Sequence, residues 1–352
     1  MKAALITDTH WGIRNDSVVY HKYFDKFYTN VFFPYLKEHD IKTIFHLGDI
    51  VDRRKYINYV TLNAFKNIFI QPCIENDIDL HVIVGNHDIP YRNTNEVNAM
   101  KELFNHCYLY DMKPKDIEFD GMTIAMLPWI NNGNYDDMMK FIAESKSQVL
   151  FGHLELEGFQ MYAGQITSSG MDIKPFEKFD LVCSGHYHHR STKGNISYLG
   201  SPYELTWNDY NDSRGFHIFD SETREIEFIP NPYKMFYKVW YDDTDKTLED
   251  YTSMDFSDYA ETSVKVIVRN KNNPYWFDIM MDKLYNSNPI NVSIVEDNKH
   301  MDLISEEEII SEAEDTLTTL NNYVNNMETK VDKRKLQTLF AELYTEAQNM
   351  EL

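Results

Sequence analysis

Short apolar runs alternate with longer amphipathic stretches through the first two thirds of the chain. Residues 3–6, 43–47, 80–84, 123–127, 149–151 and 181–183 are brief and mostly apolar, the pattern of strands buried on both faces. Residues 19–37 and 59–75 place apolar side chains three and four apart, which predicts helices, and Asn58 stands where a cap for the second belongs. From 196 to 229 the pattern shortens to strands with tight connections, including 215–220 and 224–230. This mixture predicts two mostly buried sheets covered by helices, an α/β sandwich and not a simple Rossmann unit. Pro230 and Pro232 read as a hinge. Beyond it, 234–241, 263–268, 276–286 and 291–295 suggest a small α/β domain, and the acidic link 241–261 reads as a solvated loop. From about Ser305 the pattern is helical. Ile310, Ala313, Leu317, Leu320, Val324 and Met327, then Leu336, Phe340, Leu343, Ala347 and Met350, mark two amphipathic helices of a hairpin. Its apolar seam either packs on the chain's own core or docks on a partner.

Composition narrows the function classes. The chain has 352 residues, 43% hydrophobic and 26% charged, which excludes wholesale disorder. A net charge of −22 argues against a free-standing basic nucleic-acid binder. That charge is uneven: residues 1–240 hold 24 basic and 32 acidic side chains, and 241–352 hold 10 and 24. The longest apolar stretches, such as 123–130, are too short to span a bilayer, and the first residues lack the apolar core of a secretory signal. Cys73, Cys107 and Cys183 have no metal-ligand spacing and fit reduced core residues, so a cytoplasmic protein is expected, without a membrane partner. The sequence contains no GxxxxGK[ST] phosphate loop, so any ATP-driven step belongs to another polypeptide.

Five short motifs stand at or just after predicted strand ends: Asp8-Thr-His10, Gly48-Asp49 with Asp52-Arg53, Gly85-Asn86-His87-Asp88, Gly152-His153, and Gly185-His186-Tyr-His188. Singly, each reads as a cap or a turn. As an ordered set with four glycines, they resist explanation by packing. In Asp8-x-His10 and His186-x-His188, positions two apart point to the same side of an extended chain, so each pair addresses one cation or two adjacent ones. Carboxylate, imidazole and amide oxygen without thiolate suit manganese, iron or zinc. Asp49 is the natural bridge, since a carboxylate offers one oxygen to each ion. Two divalent ions about 3.5–4 Å apart clamp a phosphoryl group during in-line displacement.

In order, spacing and residue type these motifs resemble the calcineurin-like metallophosphoesterase superfamily, over about residues 1–220. The resemblance implies a four-layer α-β-β-α sandwich. It places Asp8, His10, Asp49 and His188 on one ion, and Asp49, Asn86, His153 and His186 on the other. It makes His87 the general acid facing the leaving group, with Asp52 as its charge partner. Arg53 becomes a candidate grip for the phosphate, set against a plain salt bridge. Tyr198-Leu-Gly-Ser201-Pro202, Arg214–Asp220 and Asp8-Thr-His-Trp-Gly12 resemble SbcD-type double-strand-break-repair nucleases, and among them the recombination-endonuclease subunits of T-even-like phages. Archaeal and eukaryotic relatives carry histidine where this chain has Asp52.

That likeness implies a metal-dependent DNA exonuclease and endonuclease, using two divalent ions, manganese first and magnesium in part. Its three parts would be a nuclease domain at 1–230, a DNA-capping domain at 233–296 and a partner-binding helical hairpin at 305–352. The implied partners are DNA and an SMC-like coiled-coil ATPase, with a homodimer inside a heterotetramer, in the host-cell cytoplasm if phage-encoded. A small-nucleotide phosphodiesterase or phosphomonoesterase with the same metals is the alternative. A scaffold that has lost its chemistry fits poorly, because all seven proposed ligands and His87 are present.

Overall fold

The computed structural model describes residues 1–104, 106–162 and 164–296, together with Val324, Lys333 and Leu336. Met1–Ile294 forms one compact unit, and apart from those three positions the expected helical hairpin lies outside the described residues.

Four parallel strands, β1 (Lys2–Ile6), β2 (Thr43–His46), β3 (Asp79–Ile83) and β4 (Tyr108–Tyr110), lie side by side in that order. A hairpin of β5 (Lys115–Phe119) and β6 (Met122–Leu127) starts the second sheet. β7 (Val149–His153) adds parallel to β6; β8 (Gln160–Tyr162) and β9 (Gln165–Ile166) form a small separate hairpin. β10 (Leu181–Gly185) continues the sheet, and β11 (Ser191–Lys193) with β12 (Ile196–Tyr198) close it, giving the order β11-β12-β10-β7-β6-β5. The chain then returns to the first sheet: β13 (Gly215–Asp220) runs antiparallel to β1 and carries β14 (Ile226–Pro230) at the edge.

The layers follow from the two-residue period of a strand. Ala3, Leu5, Phe45, Phe151, Cys183 and Phe219 meet between the sheets. Ala4, Ile6, Ile44 and Val82 face the other way, onto the helical stretches 18–38 and 59–75. Ala125, Leu127, Leu150 and Val182 pack with Met138 and Ile142 of the Tyr135–Glu144 helix. The result is the expected α-β-β-α sandwich. Asn58 caps its helix, accepting from the Val60 N–H at 2.8 Å. Both long helical stretches loosen into one π-helical turn, Tyr28–Phe32 and Lys66–Ile70, just before Pro34 and Pro72. A proline has no N–H for the regular bond four residues back, and a wider turn accommodates that loss.

β15 (Phe236–Asp242), β16 (Ser263–Asn270) and β17 (Asn291–Glu296) form a three-stranded sheet in that order, with the Pro274–Asn286 helix and a hydrophobic cluster of their own. Two expectations change here. Residues 241–261 are not merely a solvated loop: Leu248–Thr252 is helical behind a Thr247/Asp250 capping box, and Tyr251 and Phe256 are buried. Asp243 is buried too, accepting from the Asn272 and Asn273 N–H groups at 2.9 and 2.6 Å. The Pro230–Pro232 crossing is stapled and not a free hinge. Asn231 donates to the Arg214 and Pro202 carbonyls, and the buried Glu204 carboxylate accepts from the Met235 and Phe236 N–H groups at 2.7 and 2.9 Å.

Phe151 packs edge-on to Phe45 and Phe219, with ring centroids 5.1 and 5.3 Å away. Phe151→Ala should lower unfolding free energy by about 3–5 kcal/mol. Tyr135→Ala, at an exposed position, should change it by less than about 0.5 kcal/mol. Urea denaturation of both variants checks the two-sheet core.

Candidate dinuclear metal centre

Every motif lies at the carboxyl end of a strand, on the edge where open α/β sheets bind ligands. Asp8 and His10 follow β1, Asp49 follows β2, and Asn86 and His87 follow β3. His153 ends β7, while His186 and His188 follow β10, so both sheets deliver side chains to one place. Backbone bonds stitch these loops together: Asp8 N–H to Gly48 O at 3.0 Å, His10 N–H to Asp49 O at 3.2 Å and Trp11 N–H to Ile50 O at 2.7 Å. Asp8, His10, Asp49 and His186 all have positive φ, 52°, 43°, 53° and 93°. Such conformations cost of order 1–3 kcal/mol each and persist where the surroundings over-determine them. Gly48 and Gly85 allow the close approach. A Cβ on Gly48 would stand 2.5 Å from His153 Nδ1, and one on Gly85 would collide with the Asp49 carboxylate.

The side chains form two groups that meet at Asp49. In the first, His10 Nε2 is 3.0 Å from His188 Nε2, and Asp8 Oδ1 is 3.9 Å from His188 Nε2. In the second, Asn86 Oδ1 lies 3.0 Å from His153 Nε2 and 2.9 Å from His186 Nδ1. Asp49 Oδ2 lies 3.9 Å from His10 Nε2 and 3.4 Å from His153 Nε2. Asp8 and Asp49 are 0% and 2% exposed, and among the described residues no lysine or arginine forms an ion pair with either. Among the described residues, their ion-pair partners are imidazoles.

The proton balance reflects that shortage of positive charge. Burial opposes charge on His10 and His153, yet Asp52 and Asp49 beside the first, and Asp49 beside the second, push both up to about 9. Burial pushes Asp8 up to about 6, while burial and then the His153 charge pull His186 down to about 3. Burial would raise Asp49 as well, but His153, His87 and His10 outweigh it and hold it well below the usual carboxylate range. Buried carboxylates, converging imidazoles and an amide oxygen, with protons doing a cation's work, suit two divalent cations.

The calcineurin-like phosphoesterase model matches residues 1–190. The chain belongs to that family. It is 34% identical over 319 residues to exonuclease subunit 1 of Enterobacteria phage T4, covering 89% of this chain and 90% of the relative. It is 25% identical over 243 residues to a subunit of the nuclease SbcCD of Staphylococcus epidermidis, covering 58% and 60%. A third relative is the DNA double-strand break repair protein Mre11 of Methanocaldococcus jannaschii, 23% identical over 297 residues, covering 74% and 73%.

Within this calcineurin-like centre the structure brings together all seven expected ligands and His87. It redistributes two other roles. The Asp52 carboxylate pairs with His10, with Oδ1 3.3 Å from Nδ1, and acts on His87 through its charge without an ion-pair contact. What holds His87 is the Asp52 main-chain carbonyl, 2.7 Å from its Nδ1. Nδ1 therefore carries the hydrogen, and Nε2 is the ring atom left for chemistry. Burial lowers the His87 pKa, with Asp49 and Asp52 opposing. Arg53 is committed elsewhere. It donates to Asp16 at 2.9 Å, to the Tyr56 hydroxyl at 2.9 Å and to Asn15, bracing three consecutive left-handed residues, Arg14, Asn15 and Asp16. The salt-bridge reading holds for Arg53.

Sequence reasoning assigned no role to Asp88. Its buried carboxylate accepts from the N–H groups of Gly85, Asp49 and Ile50 at 2.9 Å each and of Val51 at 3.2 Å. The available signal was an acid directly after Asn86-His87, followed by apolar Ile89. Arg214 was also missed: it is buried, binds Asp209 and Asp212, and donates to the His188 carbonyl. His189 pairs with Asp212 at 2.7 Å. His46, expected to be a satisfied core residue, bonds Thr9 Oγ1 at 3.1 Å, and His81 bonds the Tyr110 hydroxyl at 2.8 Å. Tyr187, a candidate for the cleft wall, is buried and donates to the Leu156 carbonyl.

Because His10 and His153 lie above the ordinary 6.5 when folded, their protonation stabilises the metal-free protein most below pH 6.5. That stability is lost as pH rises towards about 9. The melting temperature of chelator-treated protein should fall from pH 6.5 to 9, and manganese should remove the trend. Calorimetry at four pH values, with and without metal, checks the sign. His87→Ala should retain both ions and slow cleavage by roughly 10²–10⁴-fold, whereas Asp49→Ala should lose at least one ion. Equal metal loss in the two variants would remove His87 from its role as acid.

Proposed function

We propose that this chain is a metal-dependent DNA exonuclease and endonuclease, the nuclease subunit of a repair and recombination complex. The observation that carries the reading is the convergence of two ligand groups on Asp49, in a chain that matches the phage exonuclease subunit over 89% of its length. Asp8, His10, Asp49 and His188 would hold one divalent cation, and Asp49, Asn86, His153 and His186 the other. Such a pair supplies charge for the phosphoryl oxygens and acidifies the attacking water. The chain's own part is positioning and proton delivery. Asp52 fixes two rings at once, His10 through its carboxylate and His87 through its carbonyl. His87, protonated at Nε2, passes that proton to the departing oxygen, so no free alkoxide has to leave.

The finer reading is manganese as the working ion, and DNA as the substrate, shared with an SMC-like coiled-coil ATPase. Residues 1–230 form the nuclease domain, and 233–296 cap the DNA. Residues 305–352 would be the segment that docks the ATPase, within a heterotetramer built on a homodimer of this chain. The T4 relative's name as a subunit, and the sequence's lack of a phosphate loop, support a partner for any ATP-driven step. The site of action is the cytoplasm, that of the host cell if the chain is phage-encoded; among the described residues no helix is long and apolar enough to cross a membrane.

The deciding assay follows the purified chain in manganese, with and without the ATPase, on linear duplex, circular single-stranded DNA and nucleotides. DNA cleavage supports the proposal; turnover of nucleotides far above DNA would favour the small-nucleotide phosphodiesterase. Chelation should abolish activity, and manganese should restore it better than magnesium, because imidazole-rich sites hold magnesium poorly. Full activity in rigorously manganese-free magnesium would count against these ligands.

Removal of the chain from Ser305 onward should leave metal binding and basal nuclease activity intact, since every proposed ligand precedes residue 189. It should abolish association with the ATPase and ATP-dependent duplex degradation. Leu320→Asp and Leu343→Asp should reproduce that loss, because a carboxylate in an apolar seam is desolvated without a partner. An insoluble or metal-free truncation would show that the hairpin serves the chain's own core.

A further inference from the structure

A histidine that ligates a metal usually donates its other ring N–H to an acceptor that fixes the ring. His153 has such an acceptor, with Nδ1 2.7 Å from the Leu47 carbonyl, and His10 turns Nδ1 towards the Asp52 carboxylate at 3.3 Å. His186 is different. Its Nδ1 lies 2.9 Å from Asn86 Oδ1, inside the second ligand group, which leaves Nε2 as the outer nitrogen. Among the described residues, nothing hydrogen-bonds to that Nε2. His188 also lacks such a bond, but Arg214 and the Ser201 N–H pin its carbonyl. The His186 ring is held by other rings. The half-buried Trp129 places its indole 5.1 Å from it, tilted by 46°, and 5.8 Å from the His153 ring at 67°. Buried amides fix that indole in turn. The Trp129 N–H donates to the Val84 carbonyl at 2.9 Å, two residues before Asn86. Its own carbonyl accepts from Asn95 Nδ2 at 2.9 Å and Asn134 Nδ2 at 3.0 Å. Asn95 is 2% exposed, donates again to the Asp111 carbonyl and accepts from Asn131 Nδ2 at 2.9 Å. A buried polar network satisfied in this way specifies one arrangement.

We propose that Trp129 is a positioning residue for the ion of Asp49, Asn86, His153 and His186. Its indole holds the His186 imidazole in the ligating orientation, the service that the Leu47 carbonyl performs for His153. This inference rests on the two-ion reading above. The terminal torsion of a histidine is soft, so an imidazole without an acceptor on its outer nitrogen turns unless something flat packs against it. Tilted aromatic pairs at such centroid distances attract each other. The Val84 bond ties the indole to the same loop that carries Asn86, so ring and amide oxygen approach the ion from one rigid support.

The test titrates manganese into chelator-stripped full-length protein by calorimetry, with indole emission followed in parallel. Trp129→Leu keeps apolar bulk without a flat ring. It should weaken one of two binding steps by roughly 10–100-fold and leave the other unchanged. The weakened step should be the one that His186→Ala weakens further. Trp129→Phe, which keeps a ring, should restore most of the affinity. Paramagnetic manganese should quench part of the wild-type emission, and that part should be missing in Trp129→Phe although its ions are bound. Two tight ions in Trp129→Leu, equal weakening of both steps, or a loss confined to the step that His186→Ala spares would overturn the proposal. So would equal quenching in wild type and Trp129→Phe, a result that decides even if Trp129→Leu fails to fold. Wild-type protein that binds two ions yet cleaves no DNA would end the nuclease reading and leave the role of Trp129 to the binding data. A wild type that takes up no ion would overturn both.

Discussion

The Asp88 carboxylate accepts four backbone N–H groups, and the geometry of the centre hangs on that knot. Three of the donors belong to Asp49, Ile50 and Val51 beyond β2, and the fourth to Gly85 beyond β3. One buried side chain thus locks two neighbouring loops to each other, and charge-assisted bonds are stronger than neutral ones. Asp49, set at φ 53° by this arrangement, reaches His10 and His153 and accepts the His87 N–H at 2.7 Å. A buried acid that binds no substrate therefore aims the acid that bridges the two ligand groups.

Rigidity of this kind is what lets the backbone hold four ligands at positive φ. Each would relax if its loop were free. None is: Asp8 is tied to Gly48, His10 to Asp49, and the His186 N–H to both Asp8 carboxylate oxygens at 3.1 Å. The last bond crosses from one sheet to the other. Arg214 performs a similar service for His188, whose carbonyl also accepts the Ser201 N–H at 3.1 Å. Two sheets packed through Leu5, Phe45, Phe151 and Cys183 keep these edges in register, so core packing and ligand geometry are parts of one constraint.

The doubly buried strands were legible in the sequence because short apolar runs bounded by turn residues fit strands covered on both faces. β4, β5 and the Tyr135–Glu144 helix were not, because their exposed positions break the apolar pattern. The motifs holding the seven proposed ligands and His87 stood out because they cluster at or just after strand ends, and the family resemblance supplied their individual roles. Asp52 and Arg53 stand in irregular backbone, where no period says which way a side chain turns. There the family pattern pointed to the loop, while the structure adds what each group touches: the Asp52 carboxylate lies beside His10, its carbonyl accepts from His87, and Arg53 pairs with Asp16. Asp243 was misread differently. An acid in an acidic run looks solvated, and only the Asn272–Asn273 turn packed over it reveals an acceptor.

Asp243 also bears on the charge of the whole molecule. Of the eight acids in residues 241–261, several close local turns. Asp250 completes the capping box with Thr247, Asp242 accepts from Thr244, and Asp255 accepts from the Ser257 N–H at 2.9 Å. Carboxylates used this way shape a small sheet module, and their number follows from its short turns. Net charge governs solubility and long-range encounter, whereas the potential in a cleft is set by the groups that line it. At about 10 Å of screening in ordinary salt, acids beyond that range count for little against two divalent ions. A net charge of −22 therefore does not by itself bar a polyanion from the centre, because the groups that line a cleft set its potential and the sum over the sequence does not.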